Sequence, residues 1–336
     1  VVHAYQKYFY KLNYIYSWKD SNKIIKLLVF VRAIILFLFQ MLFNKDIKIV
    51  HIHATVGSSF KRKSVFVKLA HMLKKKIILH IHGGGFPDFY DLSTDSKQKS
   101  IINILNAANK IAVVSEYPWR KWFLEIGVIE DKLVVLNNTI EYPKFQLTNN
   151  SSRDIPLRFL YMGKLTEEKG VYDLLEVVSE HKEELENILN FKVGGFYQED
   201  RFCSAIVDLE LNNLVSFEGY VKGEKKIELL NWANVLLQPS YFEAISISIL
   251  EGMSYGLAIL ATNVGGIPSI VKDGVNGLLF EPGNKIAIWE SIKKLKSSPR
   301  LISELGNHGS NMVSEYYPNY TMNKLNSTYK DLLYEK

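Results

Sequence analysis

The sequence predicts an α/β protein built from two successive Rossmann-like domains. Short continuous apolar runs, such as IKIVHIHA (47–54) and KKIILHIH (75–82), alternate with helical segments, which is typical of parallel strands covered by helices on both faces. Polar or glycine-rich loops follow these runs. A length of 336 residues, with 47% apolar and 23% charged residues, suits a folded chain of two domains.

The first helical segment is unusually apolar. Residues 24–43 read IIKLLVFVRAIILFLFQMLF, and about 20 residues are long enough to span a bilayer. Lys26 and Arg32 disfavour a span, because a central cation costs about 2.5–3.5 kcal/mol on insertion. Two interpretations stay open, namely a helix packed within the first domain and a helix partly exposed at a membrane surface.

The remaining elements follow in order. A basic helix (61–76) separates the first two strands, and the runs IAVVS and LVVLNN predict two further strands at 111–115 and 133–138. The polar segment QLTNNSSRDIP (146–156) reads as a linker. A second α/β series follows, with strands at 157–163, 188–195, 214–221, 234–240 and 257–262, helices from Val171 and Glu224, and a terminal helix from Pro318.

These elements predict a first domain at 1–148, a second at 149–316, and a final helix at 317–336 that packs back toward the first domain.

Residues 1–150 carry 22 Lys and Arg against 10 Asp and Glu, whereas residues 151–336 carry 19 against 25. Such asymmetry indicates an anionic partner, and a membrane is favoured over nucleic acid because no nucleic-acid-binding signature occurs. The single cysteine, Cys203, suits a reducing compartment, and we expect a cytoplasmic protein.

Two segments carry the predicted chemistry. In YMGKLTEEKG (161–170), Lys164 and Lys169 flank a turn at the end of a strand, where ammonium groups can hold a diphosphate. In QPSYFEAISISILEG (238–252), Glu243 and Glu251 lie eight residues apart, on either side of the start of a helix. Ionised carboxylates accept hydrogen bonds from sugar hydroxyls. The amides of Ser246 and Ile247 at the helix start can cradle phosphate oxygens.

GKLTEEKG together with PSYFEAISISILEGMSYGLAILATNVGGIPSIVKDGVNGLLFEPGN resembles the carboxyl-terminal domain of GT-B glycosyltransferases of family 4. The family pattern is G-R-L-x-x-x-K-G followed by Glu-x7-Glu, and the resemblance covers nearly the whole chain. It implies two Rossmann-like domains facing a cleft and retaining transfer from a nucleotide-diphosphate sugar. It also implies that the two loop cations, here Lys164 and Lys169, bind the donor diphosphate. The first Glu of the pattern, here Glu243, would contact the donor sugar, and the second, here Glu251, would hold the ribose.

The chain departs from the family pattern in three places. Lys164 replaces the usual arginine, which keeps the charge but loses the bidentate fork. Ala244-Ile245-Ser246 replaces Gly-Phe-Gly, as in the subgroup that makes bacterial capsule, exopolysaccharide and O-antigen chains, and this leaves the donor open. The chain begins at VVHAYQKYF without Met, within what corresponds to the family's first helix. We therefore expect a truncated sequence that lacks the first strand and the acceptor-side glycine loop.

His82, at the end of the second strand and before Gly83-Gly84-Gly85, matches the family histidine beside the donor sugar. His51 and His53 lack a matching carboxylate arrangement, and no Asp-x-Asp occurs, so we predict no metal site, no cofactor and metal-independent catalysis. The resemblance implies a saccharide acceptor, lipid-linked, at the inner face of the plasma membrane, where the basic first domain binds anionic lipid. A GT-B nucleotide-sugar epimerase and an inactive nucleotide-sugar binder remain alternatives.

Overall fold

The computed structural model divides the chain into two compact units. Unit 1 comprises residues 1–139 and 318–336, and unit 2 comprises residues 140–317. The structure describes residues 12–82, 84–144 and 156–334. The amino-terminal segment VVHAYQKYF, the predicted boundary at 148/149 and nearly all of the predicted linker lie outside the described residues.

Unit 1 is built on parallel strands with helical crossovers. Its described elements before residue 140 are α1 (Lys23–Phe43), β1 (Ile49–Ala54), α2 (Ser58–Met72), β2 (Lys76–Ile81), α3 (Phe86–Asp91), α4 (Asp95–Ala107), β3 (Lys110–Val113), α5 (Lys121–Glu125) and β4 (Leu133–Val135). Within the described residues the strands form one parallel sheet in the order β1-β2-β3-β4. Because the connections are crossovers, the carboxyl ends of all four strands share one edge.

Helix α2 begins and ends earlier than the sequence predicts. The predicted helix runs from 61 to 76, whereas α2 ends at Met72, and Lys74 then adopts a left-handed φ of 52°. This turn frees Lys76 to begin β2, whose last five residues are all buried. The apolar strand therefore takes precedence over the helical propensity of its lysines, since burial stabilises it more than propensity does.

Unit 2 holds a larger parallel sheet. Its described elements are β5 (Leu157–Lys164), α6 (Val171–Glu180), α7 (Lys182–Leu185), β6 (Leu189–Phe196), α8 (Glu199–Asp208), β7 (Val215–Phe217), α9 (Gly223–Trp232), β8 (Val235–Gln238), α10 (Ile247–Ser254), β9 (Ala258–Thr262), α11 (Ile267–Ile270), β10 (Gly277–Phe280), α12 (Lys285–Ser297) and α13 (Pro299–Met312). The strand order is β10-β9-β8-β5-β6-β7. The predicted α/β class with parallel sheets is confirmed.

The core of unit 2 fixes the strands that matter for the site. Every residue of β8 and β9 is buried, as expected for central strands covered on both faces. Strand β5 pairs with β8 on one side and β6 on the other, so it is central as well. The predicted strand 214–221 is shorter, because Gly219 turns the chain with a φ of +71° after β7 has ended at Phe217.

The final helix, α14 (Pro318–Tyr334), belongs to unit 1. Its Met322, Leu325 and Leu332 join Ile78 and Leu136 in a buried cluster with the sheet. The carboxyl-terminal residues therefore cover one face of β2 and β4, although more than 170 residues of unit 2 separate them from those strands in sequence.

Candidate active site

Two loops meet at the carboxyl edge of the sheet in unit 2. One follows β5 and contains a single turn of 3₁₀-helix, Glu167–Lys169, and the other follows β8. The backbone amide of Tyr241 donates to the carbonyl of Glu168 at 2.9 Å. Because β5 and β8 are parallel neighbours, both loops leave the sheet at one edge, where ligands bind in open α/β sheets.

The two loops carry an ion pair between residues that the sequence assigned to different parts of a ligand. Lys169 Nζ lies 2.6 Å from Oε1 of Glu243, and its ammonium also donates to the carbonyl of Phe242 at 3.1 Å. The side chains are 22% and 15% exposed, so the pair is largely withdrawn from water. Removing either partner leaves a poorly hydrated charge, which makes the pair structurally coupled.

Glycines hold the backbone around Glu243. A Cβ on Gly265 would lie 1.8 Å from the carbonyl oxygen of Glu243, and Gly265 has a φ of +53°. The Gly266 amide donates to that same carbonyl at 3.2 Å. On the other side, a Cβ on Gly170 would lie 1.9 Å from the carbonyl oxygen of Pro239. A side chain at Gly170 would therefore push the loops after β5 and β8 apart, and a side chain at Gly265 would push the loop after β9 away from Glu243.

A polar network orients the Glu243 carboxylate from beneath. The Gln238 amide donates to Ser240 Oγ at 2.8 Å, and Ser240 Oγ lies 3.4 Å from Oε1 of Glu243. Thr262 Oγ1 donates to the Ser240 carbonyl at 2.6 Å. Gln238, Ser240 and Thr262 are all buried, so these contacts are shielded from water and fix the carboxylate in one direction.

Helix α10 begins beside the end of β5. The buried Ser246 caps it, and its hydroxyl accepts a hydrogen bond from the Ile249 amide at 3.3 Å. Ser248 Oγ donates to the carbonyl of Met162 at 2.8 Å, which ties the first turn of α10 to β5. The amide of Ile247 lies in this first turn, where helix amides have no intrahelical acceptor and favour an anion.

Glu251 has a partner that the sequence did not reveal. Lys226, on α9, places Nζ 2.5 Å from Oε1 of Glu251, with side chains 34% and 17% exposed. The contact fixes one carboxylate oxygen and leaves the second for another donor. Lys226 belongs to a charged, helix-forming segment, GEKKIELLNW, in which no pattern distinguishes it from the neighbouring Lys225.

Lys164 ends β5 and is exposed, with Nζ 6.0 Å from the centroid of the Tyr197 ring. Its carbonyl accepts a hydrogen bond of 2.6 Å from the hydroxyl of the buried Tyr161. Burial raises the pKa of Tyr161, and the negative charge of Glu243 raises it further. This phenol therefore stays protonated and serves to brace the backbone under Lys164.

His82, in unit 1, directly follows β2 and is half-buried. Its Nε2 lies 2.8 Å from Nδ1 of His53, and burial lowers its pKa to about 4. His82 is therefore a neutral imidazole at pH 7.

The same face of the sheet also holds His51 and His80, and one ring nitrogen from each of His51, His53 and His80 lies within 4.8 Å of the other two. The sequence did not predict this cluster.

Comparisons with known proteins agree with this architecture. Residues 146–312 match the family described as "Glycosyl transferases group 1". The "Uncharacterized glycosyltransferase MJ1069" of Methanocaldococcus jannaschii is 23% identical over 306 residues, which are 88% of this chain and 77% of that protein. The "Capsular polysaccharide biosynthesis glycosyltransferase CapM" of Staphylococcus aureus is 26% identical over 241 residues, which are 68% of this chain and 63% of that protein.

A solved structure shares the fold at low sequence identity. The crystal structure of Anabaena Alr3699/HepE in complex with UDP-glucose superimposes with a TM-score of 0.69 at 16% identity, over 88% of this chain and 81% of that one. The predicted fold class of two Rossmann-like domains is thereby confirmed. The roles that the sequence assigned to individual residues stay predictions.

Proposed function

We infer from the match of residues 146–312 to the glycosyl transferases group 1 family that this chain is a glycosyltransferase of GT-B fold. It would move a sugar from a nucleotide-diphosphate sugar to a saccharide acceptor, with retention of the configuration at the anomeric carbon. The observation that carries the proposal is the Lys169–Glu243 pair, held between glycine-supported loops next to the start of α10. A fixed cation, a fixed carboxylate and a helix amino terminus at one sheet edge suit a donor with a charged diphosphate and a hydroxylated sugar.

In the proposed reaction the bond from the anomeric carbon to the diphosphate oxygen breaks, and a bond to the acceptor oxygen forms on the same face. The leaving diphosphate takes the proton of the acceptor hydroxyl. Negative charge develops on the diphosphate, and Lys164, Lys169 and the amides of Ser246 and Ile247 would stabilise it. Preorganised donors of this kind lower a barrier because they need no reorganisation during the reaction.

The carboxylates would bind the neutral parts of the donor. Glu251, with one oxygen held by Lys226, would accept hydrogen bonds from the ribose hydroxyls. Glu243, aligned by Lys169 and Ser240, would accept from hydroxyls of the transferred sugar. His82, neutral at pH 7, would act as a hydrogen-bonding group toward that sugar and would bring no charge to it. We propose that this chemistry requires no metal and no cofactor.

The transfer test uses the chain with UDP-glucose as the first of a panel of nucleotide sugars. We expect one of them to raise the melting temperature and to support transfer, detected by mass spectrometry, with the anomeric configuration read by NMR. Lys169→Gln and Glu251→Gln should each lower transfer by about tenfold to a hundredfold. The matched control is Lys182→Gln, which breaks a surface ion pair in which Lys182 Nζ lies 2.8 Å from Oε2 of Glu210. Equal activity in all variants, or conversion of the sugar to an epimer without acceptor, would overturn the proposal.

The acceptor is proposed to be lipid-linked, at the cytoplasmic face of a membrane. Among the described residues, α1 is the one helix long and apolar enough to cross a membrane, yet we propose that it lies on the surface. Ala33, Phe37 and Met41 are its buried residues, and Phe37 and Phe30 contact Phe66 of α2. Most of its other apolar side chains face solvent, and the excess of Lys and Arg in residues 1–150 would attract anionic lipid.

Sedimentation with vesicles tests this surface. We expect binding to vesicles with anionic lipid, weakened by salt, and weaker binding to neutral vesicles. Leu28, 62% exposed on α1, should contribute about 1.5–3 kcal/mol if it inserts, so Leu28→Glu should lower binding at least about tenfold. Leu92→Glu, at a residue 88% exposed after α3, is the control and should bind like the wild type. Binding that neither lipid charge nor Leu28→Glu alters would contradict a surface role for α1.

A further inference from the structure

Four histidines lie side by side on one face of the unit 1 sheet. His51 and His53 alternate on β1, whereas His80 lies on β2 and His82 directly follows it, and alternate residues of a strand face the same side. His53 is the register partner of His80. The rings are stacked, with centroids 4.4 Å apart for His51 and His53 and 3.9 Å apart for His80 and His82. Four imidazoles thus share one small region of the sheet.

The nitrogens of three of these rings come close enough to share one ion. One nitrogen from each of His51, His53 and His80 lies within 4.8 Å of the other two. His51 Nε2 and His80 Nδ1 are 3.3 Å apart. Two nitrogens bound to a tetrahedral zinc ion at about 2.0–2.1 Å are roughly 3.4 Å apart, so this pair already has the separation that zinc requires.

The contacts around the cluster are compatible with tautomers that leave the inner nitrogens free of protons. His51 Nδ1 lies 2.8 Å from the Tyr329 hydroxyl on α14, and His53 Nδ1 lies 2.8 Å from His82 Nε2. With an N–H at each Nδ1, both contacts are hydrogen bonds and the Nε2 atoms of His51 and His53 carry lone pairs. Histidines that bind a metal usually donate their other N–H to such an outer partner, which orients the ring.

We propose that unit 1 binds one Zn²⁺ through His51 Nε2, His53 Nε2 and His80 Nδ1, with the fourth position open to a water molecule. Imidazole nitrogens suit Zn²⁺, and a set of three neutral imidazoles leaves the site with the full charge of the ion. Tyr329 and His82 act as outer partners. The ion would tie β1, β2 and α14 together and would orient His82 through His53.

This site is separate from the groups proposed to bind the donor diphosphate, and it reaches the proposed transfer reaction only through the orientation of His82. All five residues belong to unit 1, whereas Lys164, Lys169 and the other proposed diphosphate-binding groups belong to unit 2. Zinc here would hold the strands and the imidazole rings, and the charge on the leaving diphosphate would still be met by lysines and amides. Metal binding and sugar transfer can therefore be measured separately, and failure of one does not decide the other.

The test uses the full chain, with any affinity tag removed, after treatment with a chelator. We expect one Zn²⁺ per chain by calorimetry, with a dissociation constant of about 1 μM or lower, and a visible Co²⁺ absorption spectrum of tetrahedral type. His51→Asn and His80→Asn should weaken binding by about a hundredfold or more, and Tyr329→Phe by about tenfold. His71→Asn, at an exposed histidine of α2, is the matched control and should bind like the wild type.

Two results of the zinc-binding measurements would overturn the proposal. One is wild-type protein that takes up less than about 0.1 Zn²⁺ per chain at 100 μM free metal. The other is His71→Asn losing as much affinity as His80→Asn, which would place the ion on the surface. If the ligand variants fail to fold, the Co²⁺ spectrum of the wild type decides, because an octahedral, weakly absorbing spectrum would exclude a site of three imidazoles in tetrahedral geometry.

Discussion

The Lys169–Glu243 pair predicts a measurable coupling within unit 2. The perturbations are Lys169→Met, Glu243→Gln and both together. Lys169 and Glu243 are 22% and 15% exposed, so each single variant leaves a charge that water reaches poorly. Breaking a fully buried pair costs about 3–5 kcal/mol. Scaled down for the remaining exposure, each single variant should lower the free energy of unfolding by about 2 kcal/mol.

The double variant removes both charges together and should cost less than the sum of the single variants. We expect a coupling energy of about 1–2 kcal/mol in a double-mutant cycle, measured by urea denaturation with tryptophan fluorescence. The control cycle uses Lys182 and Glu210, which are 33% and 82% exposed and 2.8 Å apart. That pair should couple by less than about 0.5 kcal/mol. If both cycles give the same small value, the ion pair does not hold the two loops, and the reasoning from its burial is refuted.

Two further predictions concern a glycine and the histidines. Gly265→Ala should lower the free energy of unfolding by about 3 kcal/mol or more and abolish stabilisation by a nucleotide sugar, because its Cβ would meet a carbonyl 1.8 Å away. Gly274→Ala, at a φ of +72° with open space around it, should cost about 1 kcal/mol, and equal losses would contradict the steric argument. Burial lowers the pKa of His51 to about 3 and that of His82 to about 4. Burial also lowers the pKa of His53 and His80 well below the usual value. Histidines in the unfolded chain have a pKa of about 6.5, so around and below this pH the unfolded chain binds more protons than the folded one. In chelator, the metal-free protein should therefore lose about 1.4 kcal/mol per histidine, roughly 5–6 kcal/mol for the four, between pH 7.5 and pH 5.5. A flat unfolding free energy over this range would show that these rings take up protons in the folded state.

The sequence predicted the frame of the unit 2 site because its signals are local. A continuous apolar run predicts β5, and the structure differs from the predicted range by one residue, Lys164. The serine at 246, ahead of an apolar segment, predicts a helix start, and Ser246 caps α10. Capping and strand burial involve neighbours within a few residues, so they can be inferred without knowing the fold.

Contacts between distant segments could not be inferred in that way. Lys226 and Glu251 lie on different helices, and which lysine of a charged helix faces a carboxylate depends on the rotation of that helix. The histidine cluster depends on the register that pairs His53 with His80, and a shift of one residue would turn a strand's histidines to the other face. Composition revealed the apolar character of α1, but only the packing shows how few of its side chains are buried.

The geometry of Lys169 shows how one ammonium can serve both the fold and a ligand. It donates to Glu243 and to the carbonyl of Phe242, which uses two of its three N–H groups. The third can donate to a phosphate oxygen without breaking either contact. Donor binding would then add a negative group beside an existing pair, and the amides at the start of α10 would share the added charge. On this arrangement the cation proposed to neutralise the diphosphate would be the same one that fixes the carboxylate proposed to bind the sugar, so a single side chain would place the two halves of the donor relative to each other.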